Sequence, residues 1–412
     1  MFVLAESCYR MQGAARDAIG RIGSGGRTKA ANAPVHPVGS QPWYPEYAKE
    51  FAASESPAWR QYVYFRRAKA YRGRYINVDS LRHRVTPQPS APAVPAARVF
   101  FFGGSTLWGS FLRDDHTIPA EASRRLQTLA GPGARIEVTN FGETGHVFTQ
   151  GMLELMLQLR AGNRPDVVVF YDGINDTFSA LQNGEAGLGQ NEMNRVNEFA
   201  LGRQLVWHGH EEGVAKDLHS FAVLNAEALS RLRLVQRLAR VIHPAPTPTL
   251  LSRDSAARSV VRVYAENVRM IESLARTYGF TPVYVWQPTL HATRKVLTPF
   301  ERGMMRGIDK DPTQRRLKEV HLAVLPLLDS AVTPQAPGRF VNASSTFTGD
   351  TIPVYSDQVG HNTELAVPGI VDAFWPALRS VVEKKLAAAA GAAPPRTPDI
   401  ATARARGRGG RL

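Results

Sequence analysis

The chain has almost no cysteine and no long apolar run. Each absence excludes a structural feature of the protein. Cys8 is the only cysteine in 412 residues, which excludes an intramolecular disulfide and a zinc site built on several cysteines. No stretch reaches the roughly 18 consecutive apolar residues expected of a membrane-spanning helix. Residues 1–5 are apolar but too few for the core of a signal peptide. An alternative is that they end an apolar helix that begins upstream, in a longer chain.

The positive charge of the chain is concentrated at its two ends. Hydrophobic residues make up 43% and charged residues 21% of the sequence, as in an ordinary globular protein. Of the net charge of +14, residues 1–95 carry +8 and residues 391–412 carry +4, which leaves +2 for the middle. The basic charge therefore does not indicate a charged catalytic groove. The two ends are predicted to be solvated arms, with contact to anionic lipid or nucleic acid as the alternative.

Aromatic and arginine side chains are interleaved between residues 43 and 75, and proline-rich stretches at residues 31–45 and 87–95 flank this segment. Such a mixture occurs in platforms that stack on nucleic-acid bases. It also occurs where arginine stems cover the apolar surface of a neighbouring domain. We favour packing and expect no nucleic-acid partner. The composition divides the chain into a basic N-terminal extension (residues 1–95), an organised domain (96–390) and a disordered basic tail (391–412).

From residue 98 onward, short apolar runs alternate with amphipathic segments. Repeated β-then-α units imply a parallel sheet with helices on both faces, and residues 180–250 form a predicted helical insertion. The predicted fold is a three-layer α/β/α sandwich with a flavodoxin-like sheet. The predicted strands cover residues 99–102, 135–141, 167–171 and 281–286; the predicted helices cover 118–129, 150–159, 256–278, 319–328 and 363–390, the last interrupted near Pro368.

Four short segments, far apart in the chain, end in small or polar residues. Three follow predicted strands and contain Ser105, Gly145 and Asn175; the fourth, near the C-terminus, contains Asp357 and His361. The carboxyl ends of parallel strands meet at one edge of a sheet, where ligands bind in open α/β folds. A hydroxyl, glycine amides, a carboxamide and an imidazole beside a carboxylate are the groups that a serine hydrolase needs.

Each of these residues also has a structural interpretation. Ser105 is a favoured type at a helix N-cap, and Gly142 and Gly145 fit ordinary loop positions. Asn175 could fix a turn with its own backbone, and a lone histidine is more often structural than catalytic. The carboxylate of Asp357, four residues before His361, favours a catalytic role because it could fix the tautomer of the imidazole.

Three other histidines are weaker candidates. His208 and His210 hint at a metal site, but the sequence offers no partner at ligand spacing, so we interpret them as loop histidines. His291 follows a predicted strand end and is a rival general base, although no carboxylate lies near it in the sequence. We therefore expect no metal site, and His361 ranks first as the base.

The four segments resemble the sequence blocks of the SGNH/GDSL hydrolase family over roughly residues 97–385. They are Gly103-Gly104-Ser105, Asn140-Phe141-Gly142-Glu143-Thr144-Gly145, Gly173-Ile174-Asn175-Asp176 and Asp357-Gln358-Val359-Gly360-His361. The resemblance implies Ser105 as nucleophile, His361 as base and Asp357 as its orienting acid. It also implies that the Ser105 amide, the Gly145 amide and the Asn175 side chain form an oxyanion hole.

The chain departs from the family pattern in two places. The Gly-Asp-Ser of the family is Gly-Gly-Ser here, which removes an acid but keeps the nucleophile. The family places its aspartate three residues before the histidine, whereas Gly360 makes the separation four here. If Asp357 does not reach His361 across this separation, a Ser–His dyad or a carbonyl group that orients His361 is the alternative.

The resemblance implies an esterase that works through an acyl-serine intermediate and requires neither a metal nor an organic cofactor. Its implied substrate is a carbohydrate O-acyl ester, such as an acetyl ester, in the cell envelope. Envelope-associated members of the family carry an N-terminal stretch like residues 43–84 and often a membrane anchor, which implies an envelope or periplasmic location and membrane association of the N-terminal end. A cytoplasmic location is expected if residue 1 is the true start. An O-acyltransferase acting on an envelope polysaccharide and an inactive binding module are the alternatives.

Overall fold

The structure, a computed structural model, describes residues 36–192 and 251–391. In this part of the chain the strands are β1 (Pro57–Arg60), β2 (Tyr64–Arg67), β3 (Tyr71–Arg72), β4 (Asn77–Val78), β5 (Ala97–Gly103), β6 (Ile136–Asn140), β7 (Val167–Asp172), β8 (Thr281–Trp286) and β9 (Phe340–Asn342). The helices are α1 (Tyr44–Ser54), α2 (Ser105–Trp108), α3 (Ile118–Ala130), α4 (Phe148–Arg160), α5 (Ile174–Asn183), α6 (Arg253–Tyr278), α7 (Pro299–Lys310), α8 (Pro312–Val332) and α9 (Val367–Gly391).

Five parallel strands form the central sheet in the order β6-β5-β7-β8-β9. Strand β7 is buried along its whole length, as its continuous apolar run predicts. The register pairs Gly103 with Tyr171 and Asp172 with Trp286. The carboxyl ends of β5, β7 and β8 therefore lie at one edge, and Ser105 and Asn175 lie in the first turns of α2 and α5, directly after β5 and β7.

Helices cover both faces of the sheet. Helices α3, α7 and α9 bury apolar side chains against one face, together with alternate residues of the strands such as Val99 and Val169. Helices α4, α6 and α8 pack on the other face, against Phe102 and Phe170. The predicted three-layer α/β/α sandwich with a parallel sheet is therefore confirmed.

The described part of the N-terminal extension packs on this sandwich. Residue Arg84 bridges Val78 and Asn140 in antiparallel fashion, so the β3–β4 hairpin continues the sheet beyond β6 and covers its edge. Helix α1 buries Tyr44 and Tyr47 in a small apolar cluster with Trp108. The aromatic and arginine-rich segment thus packs against the domain, as its composition favoured.

Several predicted elements need correction. The C-terminal helix is not interrupted near Pro368; a short 3₁₀ turn at Glu364–Ala366 leads into α9, and Pro368 lies in its first turn, where proline needs no amide donor. Helix α8 begins seven residues before the predicted 319, and α7 and β9 were not predicted. Helix α5 continues to Asn183, past the predicted start of the insertion at about residue 180.

The remaining part of the predicted insertion, including His208 and His210, lies mostly within residues 193–250 and so outside the described residues, as do the residues before 36 and the predicted tail. Among the described helices, the stretch Glu364–Ala388 is long and apolar enough to span a membrane by length and composition. Half of the 18-residue window within it that is apolar enough is buried. Its side chains Ile370, Phe374 and Leu378 lie in the core against the sheet, as expected of a core helix in a sandwich.

Candidate active site

Ser105 lies directly beyond β5, as the first residue of the short helix α2. Two close approaches require the glycines before it. A Cβ on Gly103 would collide with the Tyr171 carbonyl oxygen, and a Cβ on Gly104 would collide with Asn175 Nδ2. Gly109 then ends α2 in the left-handed region at φ +98°. The glycines thus allow a sharp turn from strand to helix that places the Ser105 side chain at the sheet edge.

His361 reaches Ser105 from the loop before α9. Its Nε2 lies 2.7 Å from Ser105 Oγ, and its Nδ1 lies 2.6 Å from Asp357 Oδ2. An ionised carboxylate only accepts hydrogen bonds, so Nδ1 carries the proton and Nε2 accepts from the serine hydroxyl. The structure thus brings Ser105, His361 and Asp357 into one continuous relay, across 256 residues of sequence between the serine and the histidine.

The extra residue between Asp357 and His361 is absorbed by the backbone at Gly360. This glycine adopts φ +101°, a conformation that other residues rarely adopt. The loop then folds back so that the backbone N–H groups of Val359, Gly360 and His361 all donate to Asp357 Oδ1, at 3.0–3.1 Å. The second carboxylate oxygen is left for the imidazole. Separation by four residues therefore places the carboxylate within reach of the base.

Burial and hydrogen bonding have opposite effects on the pKa of Asp357. Burial alone would raise its pKa, but the adjacent His361 and the backbone N–H donors favour the charged form and hold the pKa below its usual range. Asp357 is therefore ionised at neutral pH. A carboxylate in this state can hold the imidazole in one tautomer and stabilise the imidazolium that forms when the base takes a proton.

A buried ion pair that sequence reasoning missed anchors the histidine loop. The side chains of Lys295 and Glu301 are both fully buried, and their charged atoms are 2.6 Å apart. The second oxygen of Glu301 accepts the backbone N–H groups of Val354 and Tyr355, just before Asp357. The sequence signal was the capping box formed by Thr298 and Glu301 at the start of α7.

An aromatic side chain in an unusual backbone conformation packs against the base. Phe111 has φ +68°, which is rare for a bulky residue and is associated with functional sites. Its ring centroid lies 5.6 Å from that of His361 and 6.2 Å from that of His36. His36 belongs to the N-terminal extension, which therefore reaches the base side of the site.

Asn175 and the loop of Gly145 lie against Gly104. A Cβ on that glycine would collide with Asn175 Nδ2 and would lie 3.2 Å from the His146 carbonyl oxygen. Gly145 has φ +74°, and its N–H donates to no other group among the described residues. The Asn175 amide donates to the His146 carbonyl oxygen at 2.8 Å, while its oxygen accepts from Gln190 at 3.3 Å. One amide hydrogen of Asn175 is left for a ligand. Gly145 and Asn175 are thus held next to the segment that carries Ser105, with donors available to an oxyanion.

Two buried carboxyl groups lie behind Asn175 and were not singled out from the sequence. Burial raises the pKa of Asp176 to about 7 and that of Asp172 well above its usual range, with mutual repulsion adding to the effect on Asp172. Asp176 Oδ1 accepts the N–H of Phe148, the first residue of α4. The acid of the Gly-Ile-Asn-Asp segment thus ties the first turn of α5, which contains Asn175, to the start of α4.

His291, the rival base, does not join the relay. Its ring is buried, its Nε2 lies 3.2 Å from Gln314 Oε1, and burial lowers its pKa to about 4. Among the described residues, the ring of His291 therefore bonds to Gln314 and not to Ser105. Within residues 36–192 and 251–391, no three histidine, cysteine or acidic side chains gather as a group that could hold a metal ion.

Comparison with known proteins found similarity at the level of structure only. No family model and no curated protein sequence matches the chain. The structure is similar to that of the acetyl xylan esterase AlAXEase, with 12% identity over 68% of this chain and 99% of that one, and a TM-score of 0.36. For Axe2, an acetylxylan esterase from Geobacillus stearothermophilus, the identity is 12%, the coverage 70% and 94%, and the TM-score 0.32.

A third similar structure is that of a protein described as lipolytic and of the G-D-S-L family, from Desulfitobacterium hafniense. It shares 11% identity with this chain over 69% of this chain and 98% of its own, with a TM-score of 0.33. Two of these three similar structures are thus named as acetyl xylan esterases and the third as a protein of the G-D-S-L family.

Proposed function

We propose that this protein hydrolyses esters through an acyl-serine intermediate. The observation that carries the proposal is the relay from Ser105 Oγ through His361 to Asp357, with distances of 2.7 and 2.6 Å. Nucleophile, base and orienting acid within hydrogen-bond reach are the geometry that activates a serine. These contacts carry the proposal, and the similarity to solved structures does not.

In the first step, His361 Nε2 takes the Ser105 proton while Oγ attacks the ester carbonyl carbon. The developing oxyanion would accept hydrogen bonds from the N–H groups of Ser105 and Gly145 and from the free amide hydrogen of Asn175. The protonated His361 then gives its proton to the alcohol oxygen as the C–O bond breaks. In the second step, His361 takes a proton from water, which attacks the acyl carbon. The bond between that carbon and Ser105 Oγ then breaks, His361 returns the proton to Oγ, and the acid is released.

An acetylated carbohydrate is the substrate class that we propose to test first. The resemblance of the sequence segments implies a carbohydrate O-acyl ester in the cell envelope, and two of the similar solved structures are named as acetyl xylan esterases. An O-acyltransferase would use the same residues but pass the acyl group to a sugar hydroxyl in place of water. The products, free acid or acylated sugar, separate these two reactions.

The proposal is tested with a fluorophosphonate probe and a panel of chromogenic and polysaccharide acetyl esters. We expect covalent labelling of one serine, mapped by mass spectrometry to Ser105, and release of acetate from at least one ester. Heat-unfolded protein is the control, because labelling there reports only non-specific reaction. Folded protein that neither labels nor releases acetate would contradict the proposal.

Replacing Asn175 with alanine tests the oxyanion hole. We expect kcat to fall by ~10²–10³, the usual effect of removing one oxyanion donor. The matched control is Asn163→Ala, since Asn163 is an exposed residue just beyond α4. Steady-state kinetics on p-nitrophenyl acetate provide the measurement, with thermal unfolding to monitor the lost bond to His146. A decrease below about threefold would remove Asn175 from the proposed hole.

A further inference from the structure

The β1–β2 hairpin of the N-terminal extension contacts the loop that carries Gly145 at several points. Arg66 donates to the Phe141 carbonyl oxygen at 2.9 Å, before the glycine. After the glycine, the His146 ring nitrogen lies 3.1 Å from the Phe65 carbonyl oxygen, and Gln150 donates to the Val63 carbonyl oxygen at 2.9 Å. The hairpin therefore holds this loop on both sides of Gly145.

The contact through His146 extends to the Asn175 side chain. Burial lowers the pKa of His146 to about 4, so the ring is neutral at neutral pH. A carbonyl oxygen only accepts, so the Nε2 that faces Phe65 carries the proton. The backbone carbonyl of the same His146 accepts the amide of Asn175. Two donors of the proposed oxyanion hole, the Gly145 N–H and the Asn175 side chain, are thus linked to the hairpin.

Arg67 adds a buried ion pair to these contacts. Its guanidinium pairs with Glu143, and the two side chains are only 4% and 3% exposed. Its backbone N–H also donates to Glu143, at 3.2 Å, and the carboxylate accepts the N–H of Thr144 at 2.9 Å. Burial alone would raise the pKa of Glu143, but the charge of Arg67 holds it below its usual range. An ionised carboxylate thus links Arg67 to the residue before Gly145.

The same guanidinium lies against the helix that carries the nucleophile. The Arg67 Cζ is 3.7 Å from the ring centroid of Trp108, the last residue of α2, three residues after Ser105. The loop and this helix are also in direct contact, because a Cβ on Gly142 would lie 2.6 Å from the Trp108 backbone nitrogen. One planar cation therefore touches both the oxyanion loop and the nucleophile helix.

We infer that Arg67 of the N-terminal extension is a positioning residue that sets the distance between the oxyanion donors and Ser105. This inference rests on the proposed esterase function. Arginine suits the role because its planar fork pairs with a carboxylate and stacks on an aromatic ring at the same time, which lysine does not do. The extension is then required to position the site, and a domain that begins at residue 96 contains the oxyanion donors but lacks the residue that holds them in place.

The test compares two variants at Arg67 and one control variant with the unaltered full chain. The single variant Arg67→Met is unsuitable, because it leaves Glu143 buried without its partner and so endangers the fold. The double variant Arg67→Met/Glu143→Gln removes both charges and keeps similar volumes. Arg67→Lys keeps the charge but loses the planar stacking. The matched control is Arg74→Gln in the same extension, where an exposed pair with Glu46 contributes little.

For the folded double variant we expect kcat on p-nitrophenyl acetate to fall about 10–100-fold with KM within about threefold, because small displacements of catalytic groups affect the transition state more than substrate binding. The kcat of Arg67→Lys should lie between those of the double variant and the unaltered enzyme. The kcat of Arg74→Gln should equal that of the unaltered enzyme. A folded double variant whose kcat stays within threefold would overturn the positioning role while leaving the esterase proposal intact.

A second measurement does not depend on activity. Amide hydrogen exchange across residues 141–146 should be faster in the double variant than in the unaltered protein, and unchanged in Arg74→Gln. Equal exchange in the double variant and the unaltered protein would refute the inference even if no ester is hydrolysed. Absence of both labelling and hydrolysis in the unaltered protein, together with faster exchange in the double variant, would instead refute only the esterase proposal.

Discussion

Replacing Ser105 with alanine should lower kcat for p-nitrophenyl acetate by about 10⁴–10⁶-fold, the range seen when a serine nucleophile is removed. The alanine variant cannot form the acyl intermediate, so His361 has no hydroxyl to activate. The remaining rate would come from general-base attack of water and from the oxyanion donors. Covalent labelling by the fluorophosphonate probe should disappear in the same variant.

The fold should survive this change. Among the described residues, the Ser105 hydroxyl bonds only to His361, so its removal leaves no buried donor or acceptor of the scaffold unpaired. The matched control is Ser123→Ala, another buried serine, located in α3. Circular dichroism should be unchanged for both variants, and the control should keep full activity. Substantial hydrolysis by Ser105→Ala, once contaminating esterase is excluded, would disprove the nucleophile assignment.

Replacing Asp357 with asparagine should lower kcat by about 10³–10⁴-fold, because the carboxamide imposes the wrong tautomer on His361. Three backbone N–H groups donate to Asp357 Oδ1, so the amide oxygen of the variant must occupy that position. The NH₂ group then faces His361 Nδ1 and donates to it. The proton of the imidazole moves to Nε2, which can no longer accept from Ser105.

The same variant makes a prediction about pH and stability. The pKa of Asp357 is depressed in the folded state, so the carboxylate stabilises the fold above its ordinary pKa of 3.8, and this contribution is lost as pH falls through the lower folded value. The difference in unfolding free energy between the unaltered protein and Asp357→Asn should therefore be full at neutral pH and disappear at strongly acidic pH.

Denaturant unfolding at a series of pH values measures this difference. The matched control is Asp350→Asn in the preceding loop, where the amide oxygen can still accept the N–H of Ile352. We expect the control to keep its activity within about twofold. Full activity of Asp357→Asn would show that a backbone carbonyl or water, and not this carboxylate, orients the base.

The predicted strands agree with the observed strands where local sequence patterns carried the information. The strand at Thr281–Trp286 was predicted to the residue, and β5, β6 and β7 to within two residues, because continuous apolar runs ended by glycine or polar residues identify buried strands. Helix α7 and strand β9 were missed. The strand is only three residues long and half-buried, so it has little pattern to detect.

The sequence analysis missed most residues that support the candidate site, because each of them contacts a partner far away in the sequence. Arg67 and Glu143 are 76 residues apart, and Glu301 contacts the histidine loop 53 and 54 residues later. A buried arginine or glutamate looks like a surface residue in the sequence, since both types are mostly exposed in proteins. Only the packing of the extension on the domain shows that these charges are paired inside it.

The sequence by itself determined the order of strands and helices and the four polar segments, three of which follow strands. These features depend on local hydrophobic periodicity and on residue types that turns require. The tertiary structure alone decided that Asp357 reaches His361 across four residues, that the extension packs beside the candidate site, and that paired charges hold the loops of Gly145 and His361. Those outcomes depend on which segments, far apart in the sequence, pack together in the desolvated interior. The sequence pattern contains no measure of the spatial distance between such segments.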